Sequence, residues 1–371
     1  MLSGGGARAA YQAGVLRALA THFPDLSPDI LAGVSAGAIN AVYLASHPGT
    51  LYRKTDELVR LWSNLRIEHV FRADVPCLAL NVIRWGLRLL SGGSRSAPTA
   101  RSLVDTQPLR RMLNAFPGVE NGALAGISRN LQDGALKGVA LTASSYSSGQ
   151  SITWVQGCQI AQWERAHRRS INTKLTVEHV MASAALPLFF PATEIDRQWY
   201  GDGGIRLTAP LSPAVHLGAK RIVAISTRYA RSHEEADRPA IDGYPPTAQV
   251  AGVLLNAVFL DLLDADALRL ERLNQLVDAL PEAKRGSMRH VDLLVLRPSR
   301  DLGRLVSEYE PELPRPFRFM MRGLGTRETR DNDLLSLLMF ESRYVRRLIE
   351  LGEADTQARV DEIRRFLQST C

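Results

Sequence analysis

The stretch PDILAGVSAGAINAVYLAS, residues 28–46, decides the fold class of this chain. Residues 28–34 form a short apolar run that predicts a buried strand, and residues 36–46 are small and apolar in a pattern that predicts a helix. Similar patterns predict strands at 139–143, 151–155, 221–226 and 290–296, and helices at 177–185, 333–348 and 356–367. Strands that alternate with helices are typical of a parallel sheet covered on both faces, so we predict an α/β fold.

The composition fits a folded globular protein of one or two domains. The chain has 371 residues, 45% of them hydrophobic and 22% charged, and its three cysteines (Cys77, Cys158 and Cys371) form no C-x-x-C pair. The eight histidines form no H-x-x-x-H pair, so no metal site is expected. The net charge is +7, but the basic residues are mostly scattered arginines. This pattern argues against a nucleic-acid partner and leaves contact with an anionic membrane open.

No segment is predicted to cross a membrane. The longest apolar stretches, 181–192 and 251–260, are shorter than the about 20 residues that a spanning helix needs, and they predict core elements. The N-terminus lacks the basic start and apolar block of a signal peptide. We therefore expect a cytoplasmic protein, with any membrane contact peripheral and on the inner face.

The motif Gly33-Val34-Ser35-Ala36-Gly37 matches G-x-S-x-G and lies between a predicted strand and a predicted helix, as this motif requires. On so tight a turn the residues two before and two after the serine lie very close together, and glycine at both positions avoids a collision. The Ser35 hydroxyl would then project over the helix N-terminus, where the Ala36 N–H can stabilise negative charge. The alternative is a glycine-rich turn whose serine merely caps a helix.

A second motif, Gly4-Gly5-Gly6-Ala7-Arg8, opens a predicted helix. Consecutive glycines can turn their N–H groups toward one point and form an anion-binding site. The motif could be an oxyanion loop that faces a nucleophile, a nucleotide phosphate loop or a plain turn. The nucleotide alternative is weak, because the next strand ends at Ser35 and carries no acidic residue.

The charge of Arg8 and the position of the glycines so near the N-terminus both need an explanation. A cation in the first turn of a helix opposes the helix dipole, so Arg8 is expected to meet a substrate phosphate or a carboxylate unless it is simply solvated. Such a loop should also follow a buried strand, yet only three residues precede the glycines. We therefore expect the sequence to start inside that strand.

A third motif, Asp202-Gly203-Gly204, supplies a carboxylate on an uncrowded backbone. A serine nucleophile needs a base, and this carboxylate could approach the Ser35 hydroxyl directly. Taken alone the motif is weak, since Asp-Gly-Gly is also a common turn. His216 and His290 follow it and could complete a Ser–Asp–His triad instead.

Taken together and in order, these motifs resemble the patatin-like phospholipase family, most closely its bacterial cytoplasmic-type members. The resemblance rests on LSGGGARAAYQAGVL (2–16), GVSAGAINA (33–41), SAALPLFFPA (183–192), GDGGIRLTAPLSPA (201–214) and DLLSLLMFESRYVRRLIELG (333–352). It implies a three-layer α/β/α sandwich with a mainly parallel central sheet and extra C-terminal helices. One departure is Ala9, where many members have glycine.

The resemblance also implies a lipid acyl hydrolase that cleaves carboxylic esters of phospholipids or lysophospholipids through an acyl-enzyme, without a metal or organic cofactor. Ser35 would be the nucleophile and Asp202 the general base of a dyad. Gly4, Gly5, Gly6 and Arg8, with the N–H groups of Ala7 and Ala36, would hold the oxyanion. The alternatives are a general carboxylesterase or thioesterase, and a catalytically idle lipid-binding regulatory protein.

We expect residues 1–230 to form the catalytic core, with a helical cap or lid inserted at about 66–115. Residues 231–371 would add a loop, a strand and helices that pack on that core. Within the cap, residues 76–90 (PCLALNVIRWGLRLL) predict an arginine-flanked apolar helix with a tryptophan. Such a helix suits either the surface of an anionic bilayer or an ordinary cap packed on the sheet.

Overall fold

A mixed β-sheet lies at the centre of the chain, with helices on both faces. The computed structural model describes residues 1–72, 83, 87, 90–92, 102–158, 160–237, 243–329 and 331–368. Alternate residues of the central strands enter two separate apolar clusters: Leu31 and Val139 pack into one, and their neighbours Ala32 and Ala140 into the other. Successive strand residues point to opposite faces, so both faces of the sheet are buried and the predicted three-layer α/β/α fold is confirmed.

The described strands are β1 (Ile30–Val34), β2 (Gly138–Ser145), β3 (Ser151–Gly157), β4 (Glu164–Arg165), β5 (Arg168–Asn172), β6 (Thr193–Ile195), β7 (Gln198–Asp202), β8 (Arg221–Ile225) and β9 (Asp292–Leu296). The helices up to residue 236 are α1 (Ala10–His22), α2 (Ala36–Ser46), α3 (Leu51–Ser63), α4 (Ile67–Val70), α5 (Gln107–Asn114), α6 (Ala125–Gln132), α7 (Val177–Ser183), α8 (Ser212–His216) and α9 (His233–Ala236).

The later helices are α10 (Thr247–Phe259), α11 (Leu262–Ala279), α12 (Glu282–Arg285), α13 (Leu302–Leu305), α14 (Arg315–Gly323), α15 (Asp333–Leu338), α16 (Ser342–Ala358) and α17 (Val360–Gln368). Short 3₁₀ helices cover Gly6–Ala9, Gly203–Arg206 and Val306–Glu312.

The sheet is mixed, so its predicted mainly parallel character is wrong in this detail. The pairs β1–β2, β3–β5 and β8–β9 are parallel. The pairs β2–β3, β2–β7, β4–β5 and β6–β7 are antiparallel. The physical reason is the short connections from β2 to β3 and from β6 to β7, because a strand can return beside its predecessor through a tight turn only in the antiparallel sense.

The first three residues act as a strand between β1 and β8. Leu2 bridges Gly33 on one side and Ile225 on the other, both in the parallel sense. Its N–H donates to the Ala32 carbonyl at 2.8 Å, and its carbonyl accepts from the Val34 N–H at 3.3 Å. The glycine loop therefore follows a buried extended segment, as its chemistry requires.

The C-terminal helices pack against the N-terminal half of the chain. The helix predicted at 333–348 is broken at residues 339–341 into α15 and α16. Helix α16 lies along α1 so closely that a side chain at Gly14 would collide with the Ile349 carbonyl, and one at Gly352 with the Tyr11 carbonyl.

The predicted apolar helix at 76–90 falls mostly outside the described residues, as does the loop predicted at 91–101. Of the predicted helix, the described residues Ile83, Leu87 and Leu90 are exposed. The part of the cap that is described includes α4 and α5.

Residues 251–260 form a core element only in part, contrary to the expectation from their composition: Leu260 is buried, and Ala251 and Leu255 pack against the core. All of them except Leu260 belong to α10, and Val253 and Leu254 are exposed. By length and composition alone, one helical run in the described ranges, Thr247–Ala279, is apolar enough to cross a membrane, with a mean hydropathy of 1.5 and 22% of its most apolar window buried. This run contains α10 and α11 and is interrupted between them at residues 260–261.

Candidate active site

Ser35 lies on a tight turn between β1 and α2 in a backbone conformation that side chains rarely adopt, with φ 55° and ψ −131°. A side chain at Gly33 would come within 2.5 Å of the Gly37 carbonyl oxygen, and one at Gly37 would collide with the Leu2 carbonyl. Both glycines of the motif are therefore required by close approach of the backbone, as predicted. The strained turn presents a serine that is only 7% exposed.

A second serine supports this turn. The Ser35 N–H donates to the Ser183 hydroxyl at 3.0 Å, and that hydroxyl donates to the Thr142 carbonyl at 2.6 Å. The turn is thus tied through α7 to the central strand β2. Ser183 is the first residue of the SAALPLFFPA stretch, which marked it without revealing this role.

Asp202 is brought to Ser35 by the register of the sheet. Strand β1 lies on one edge of β2 and ends with Val34 opposite Thr142. Strand β7 approaches the same edge from the other direction and ends with Asp202 opposite Ala143, the next residue of β2. Since β3 occupies the other edge of β2, the C-terminal ends of β1 and β7 meet.

The Asp202 carboxyl is completely buried. Its Oδ1 accepts a hydrogen bond of 2.9 Å from the Gly204 N–H, while Oδ2 has no partner among the described residues. Burial raises the pKa of this carboxyl to about 7, against the opposing effects of the Ser35 hydroxyl and the Gly204 N–H. The Ser35 hydroxyl is therefore close enough to the carboxyl to lower its pKa.

The two glycines after Asp202 are also needed for close packing. A side chain at Gly203 would collide with the Thr142 carbonyl, and one at Gly204 with the ring of Phe259 on α10. The Asp-Gly-Gly motif therefore fits tightly between the central sheet and a helix from the second half of the chain.

The glycine loop lies directly against Ser35. An added Cβ at Gly4 would stand 3.1 Å from the Ser35 Cβ, and Gly5 and Gly6 have positive φ angles of 145° and 53°. The Gly4 carbonyl accepts a 2.6 Å hydrogen bond from the Thr227 hydroxyl, which fixes the loop from behind. Ala7 is buried in the first turn that follows.

Helix geometry leaves N–H groups near Ser35 without an acceptor inside their own helices. Gly6 and Ala36 each begin a helical segment, and the first N–H groups of a helix have no partner within it. Gly5, Gly6, Ser35 and Ala36 all line one cleft. The arrangement can therefore receive an anionic oxygen next to the serine.

Arg8 does not belong to this group, contrary to its predicted place in the oxyanion loop. Arg8 is 3% exposed, and its guanidinium pairs with the Asp333 carboxylate at 2.6 Å and the Ser336 hydroxyl at 2.8 Å. The backbone N–H of Arg8 donates to the Gly5 carbonyl at 3.0 Å. Of the partners expected for this cation, the structure shows the carboxylate, and the contact ties the glycine loop to α15.

The cleft above Ser35 contains about 720 Å³ of empty space, its open mouth included. Its walls are almost entirely apolar and come from α2, α3, α5, the loop after α7 and the second half of the chain. They include Trp62, Met112, Phe190, Phe259, Leu337, Leu338 and Phe340. The family-like stretch 333–352 marked Leu337, Leu338 and Phe340 without revealing this role, and no local pattern marks Phe259.

The two histidines considered for a triad lie elsewhere. The His216 ring stacks on Trp163 with 4.3 Å between ring centroids. His290 pairs with Asp278 and Asp292 at a separate surface. Neither residue lines the cleft that contains Ser35. Within the described ranges, no group of three or more His, Cys, Asp or Glu residues is placed to hold a metal ion.

The sequence model of the patatin-like phospholipase family matches residues 1–215, which hold Ser35, Asp202 and the glycine loop. This chain belongs to the patatin-like phospholipase family. A search of curated proteins found no match. Among solved structures, the chain is similar to VipD from Legionella pneumophila, with 13% identity and a TM-score of 0.34, over 94% of this chain and 66% of VipD. Family membership supports hydrolase chemistry on lipid acyl groups.

Proposed function

We propose that this chain hydrolyses carboxylic esters of lipids through a Ser35–Asp202 dyad and an acyl-enzyme intermediate. One arrangement supports this proposal above all: the strained Ser35 turn and the glycine loop line an apolar cleft, and the buried Asp202 carboxyl lies beside Ser35. A helix-capping serine would need neither the buried carboxylate nor the cleft.

In the first step the Ser35 Oγ attacks the ester carbonyl carbon while its proton passes to Asp202. The tetrahedral oxyanion is held by N–H groups of the Gly5–Ala7 segment and Ala36, and loss of one such donor costs about 10²–10³ in rate. Collapse expels the alcohol, which takes the proton from Asp202. Water then attacks the acyl-enzyme, again giving its proton to Asp202, and the fatty acid leaves with Ser35 restored.

The raised pKa of Asp202 suits this role. A base works best when its pKa lies near the working pH, and burial brings the pKa of this carboxyl to about 7. The unpartnered Oδ2 is the atom that would receive the proton.

We infer that the substrate is a phospholipid or lysophospholipid whose acyl chain occupies the cleft. The walls of the cleft are almost entirely apolar and suit a hydrocarbon chain. A general carboxylesterase or thioesterase would use the same machinery, and a lipid-binding regulatory protein would use only the cleft.

A fluorophosphonate probe tests the enzyme directly. Wild-type protein should be labelled and should release fatty acid from a panel of phospholipids, lysophospholipids and short-chain esters. Ser35→Ala should abolish both signals, while Ser212→Ala, outside the cleft, should keep them. Asp202→Asn should lose most hydrolysis. Absence of labelling and of hydrolysis in correctly folded wild-type protein would favour the lipid-binding alternative, and full activity of Asp202→Asn would exclude the dyad.

A further inference from the structure

Strand β9 (Asp292–Leu296) forms an open edge of the sheet. It pairs with β8 on one side, and no strand or bridge among the described residues lies on its other side. The first N–H of β9 donates to the Lys220 carbonyl, and the last carbonyl of β9 accepts from the Ser226 N–H, both at the ends of β8. Because the backbone groups of successive strand residues alternate between the two edges, Leu293 and Val295 direct theirs away from β8.

Part of this outward edge is paired with side chains, and part is not. The Asn274 side chain of α11 donates to the Val291 carbonyl at 2.8 Å and accepts from the Val291 N–H at 3.0 Å, as a neighbouring strand would. Arg359 donates to the Val295 carbonyl at 2.8 Å. Within the described ranges, the Leu293 N–H, the Leu293 carbonyl and the Val295 N–H have no hydrogen-bond partner. Unpaired edge groups are a template for another extended chain, and β9 contains neither the proline nor the lysine that often protects an edge.

Helix α11 runs beside this edge in the direction opposite to β9. Arg297, just after β9, pairs with Asp264 near the start of α11 at 2.9 Å, and His290, just before β9, pairs with Asp278 near the end of α11 at 3.0 Å. These two contacts are about 21 Å apart along the helix and about 23 Å apart along the strand. The helix and the strand therefore stay side by side, and one groove between them is lined by β9 and by a single face of α11.

The charge of this groove is mainly negative. The charged and titratable residues that line it are Asp264, Glu271, Asp278, Asp292, His290 and Arg297. Both His290 and Arg297 are already paired with these acids. Glu271, in the middle of the groove, is exposed and has no ion pair in the part of the chain that the structure describes. Leu268, one turn earlier on the same helix face, is 58% exposed. A complementary ligand therefore carries positive charge and an apolar group.

We propose that this groove binds an extended, basic peptide segment of a partner protein, which adds to β9 as a further strand. The peptide backbone pairs with the free groups of Leu293 and Val295, and such main-chain bonds supply affinity while alternate side chains supply specificity. Because every second residue of a strand points to the same face, alternate side chains of the peptide meet α11, with lysine or arginine opposite Glu271. A lipid or a helix cannot complete a β-ladder, so the edge selects an extended chain. The inference goes beyond the proposed hydrolysis, because neither β9 nor α11 lines the cleft above Ser35.

Fluorescence polarisation of a labelled peptide, Ser-Lys-Val-Lys-Val-Lys-Ser, with the full chain tests this groove. Wild-type protein should bind the peptide saturably, and Glu271→Lys should weaken binding at least about threefold at low ionic strength. Glu282→Lys, at an exposed acid on α12 outside the groove, is the matched charge control and should bind like wild type. Leu293→Pro removes an outward N–H and places a ring in the path of the incoming strand. Edge strands tolerate proline, and this variant should bind at least about tenfold more weakly.

Two methylated peptides decide the case with wild-type protein alone, even if Leu293→Pro does not fold. One carries methyl groups on the valine backbone nitrogens and the other on the lysine backbone nitrogens. Only one of these alternate sets can face β9, so one peptide should lose binding and the other should keep it. Equal effects of the two methylations would overturn strand addition, because attraction between charges does not distinguish the two sets.

Two other results would also overturn the proposal. One is the absence of saturable binding by wild type, and the other is equal binding by wild type and Glu271→Lys. Wild-type dimers that Leu293→Pro dissociates, seen by light scattering, would assign the edge to a second copy of this chain instead. Ser35→Ala should bind the peptide like wild type, so the outcome is independent of the proposed hydrolysis.

Discussion

Ionisation of the buried Asp202 carboxyl should make stability depend on pH in a way that one substitution removes. Burial raises the pKa of this group from 3.8 to about 7. Between these values the folded state binds more protons than the unfolded state, so the free energy of unfolding falls as the pH rises. One pKa unit corresponds to about 1.36 kcal/mol, so the free energy of unfolding falls by about 4 kcal/mol in total across this range.

Asp202→Asn abolishes this titration and keeps an oxygen that can accept the Gly204 N–H. The free energy of unfolding of this variant, minus that of wild type, should therefore increase from about pH 4 to about pH 7 by up to about 4 kcal/mol and then stay constant. Both proteins share every other titrating group, so the difference isolates position 202. Urea unfolding of the two proteins at intervals across this range measures it.

The same carboxyl must be ionised to accept the Ser35 proton. The kcat/KM for a soluble ester should rise with pH to a plateau, with its midpoint near 7. His216→Ala should leave that midpoint unchanged, because His216 stacks on Trp163 and does not line the cleft. A stability difference that is the same at every pH, together with a midpoint near 4, would refute this reasoning, since a solvated carboxyl would give both results.

Two further predictions concern the residues that hold the site. Asp333→Asn leaves the buried Arg8 guanidinium without its counter-charge and should cost about 3–5 kcal/mol of unfolding free energy in urea, whereas Glu350→Gln, in an exposed pair, should cost under about 1 kcal/mol. Equal costs would mean that the Arg8 pair is not desolvated. Ser183→Ala removes the acceptor of the Ser35 N–H and should destabilise the protein by about 1–3 kcal/mol, with kcat falling and KM nearly unchanged in steady-state kinetics. An unchanged kcat would show that this bond does not position the nucleophile.

Local sequence motifs were enough to predict the parts of the site that depend on backbone geometry alone. The strand–turn–helix around Ser35 could be predicted because a turn this tight demands glycine at fixed positions, and the structure shows the close contacts that exclude larger residues at Gly33 and Gly37. The extended segment before the glycine loop could be predicted because a loop of this kind follows a buried strand. It lies at residues 1–3.

The partners of these motifs could not be predicted, because they come from distant parts of the chain. Arg8 meets Asp333 across 325 positions, and nothing near either residue encodes the pair. The mixed sheet was missed because an apolar run predicts a buried strand without its direction. Helix α10 was expected in the core because composition does not reveal which face of a helix is covered, and Val253 and Leu254 are exposed.

The meeting of Ser35 and Asp202 depends on one edge of β2, and a small turn aims the second of these residues. Residues Asp196 and Arg197 join β6 to β7 with φ angles of 50° and 62°, the pattern of a two-residue hairpin turn that fixes strand register. A slip of one residue would turn the Asp202 side chain to the opposite face of the sheet, away from Ser35. The Asp-Gly-Gly motif, weak as a local signal, therefore gains its chemical meaning from the register that this hairpin and β2 impose.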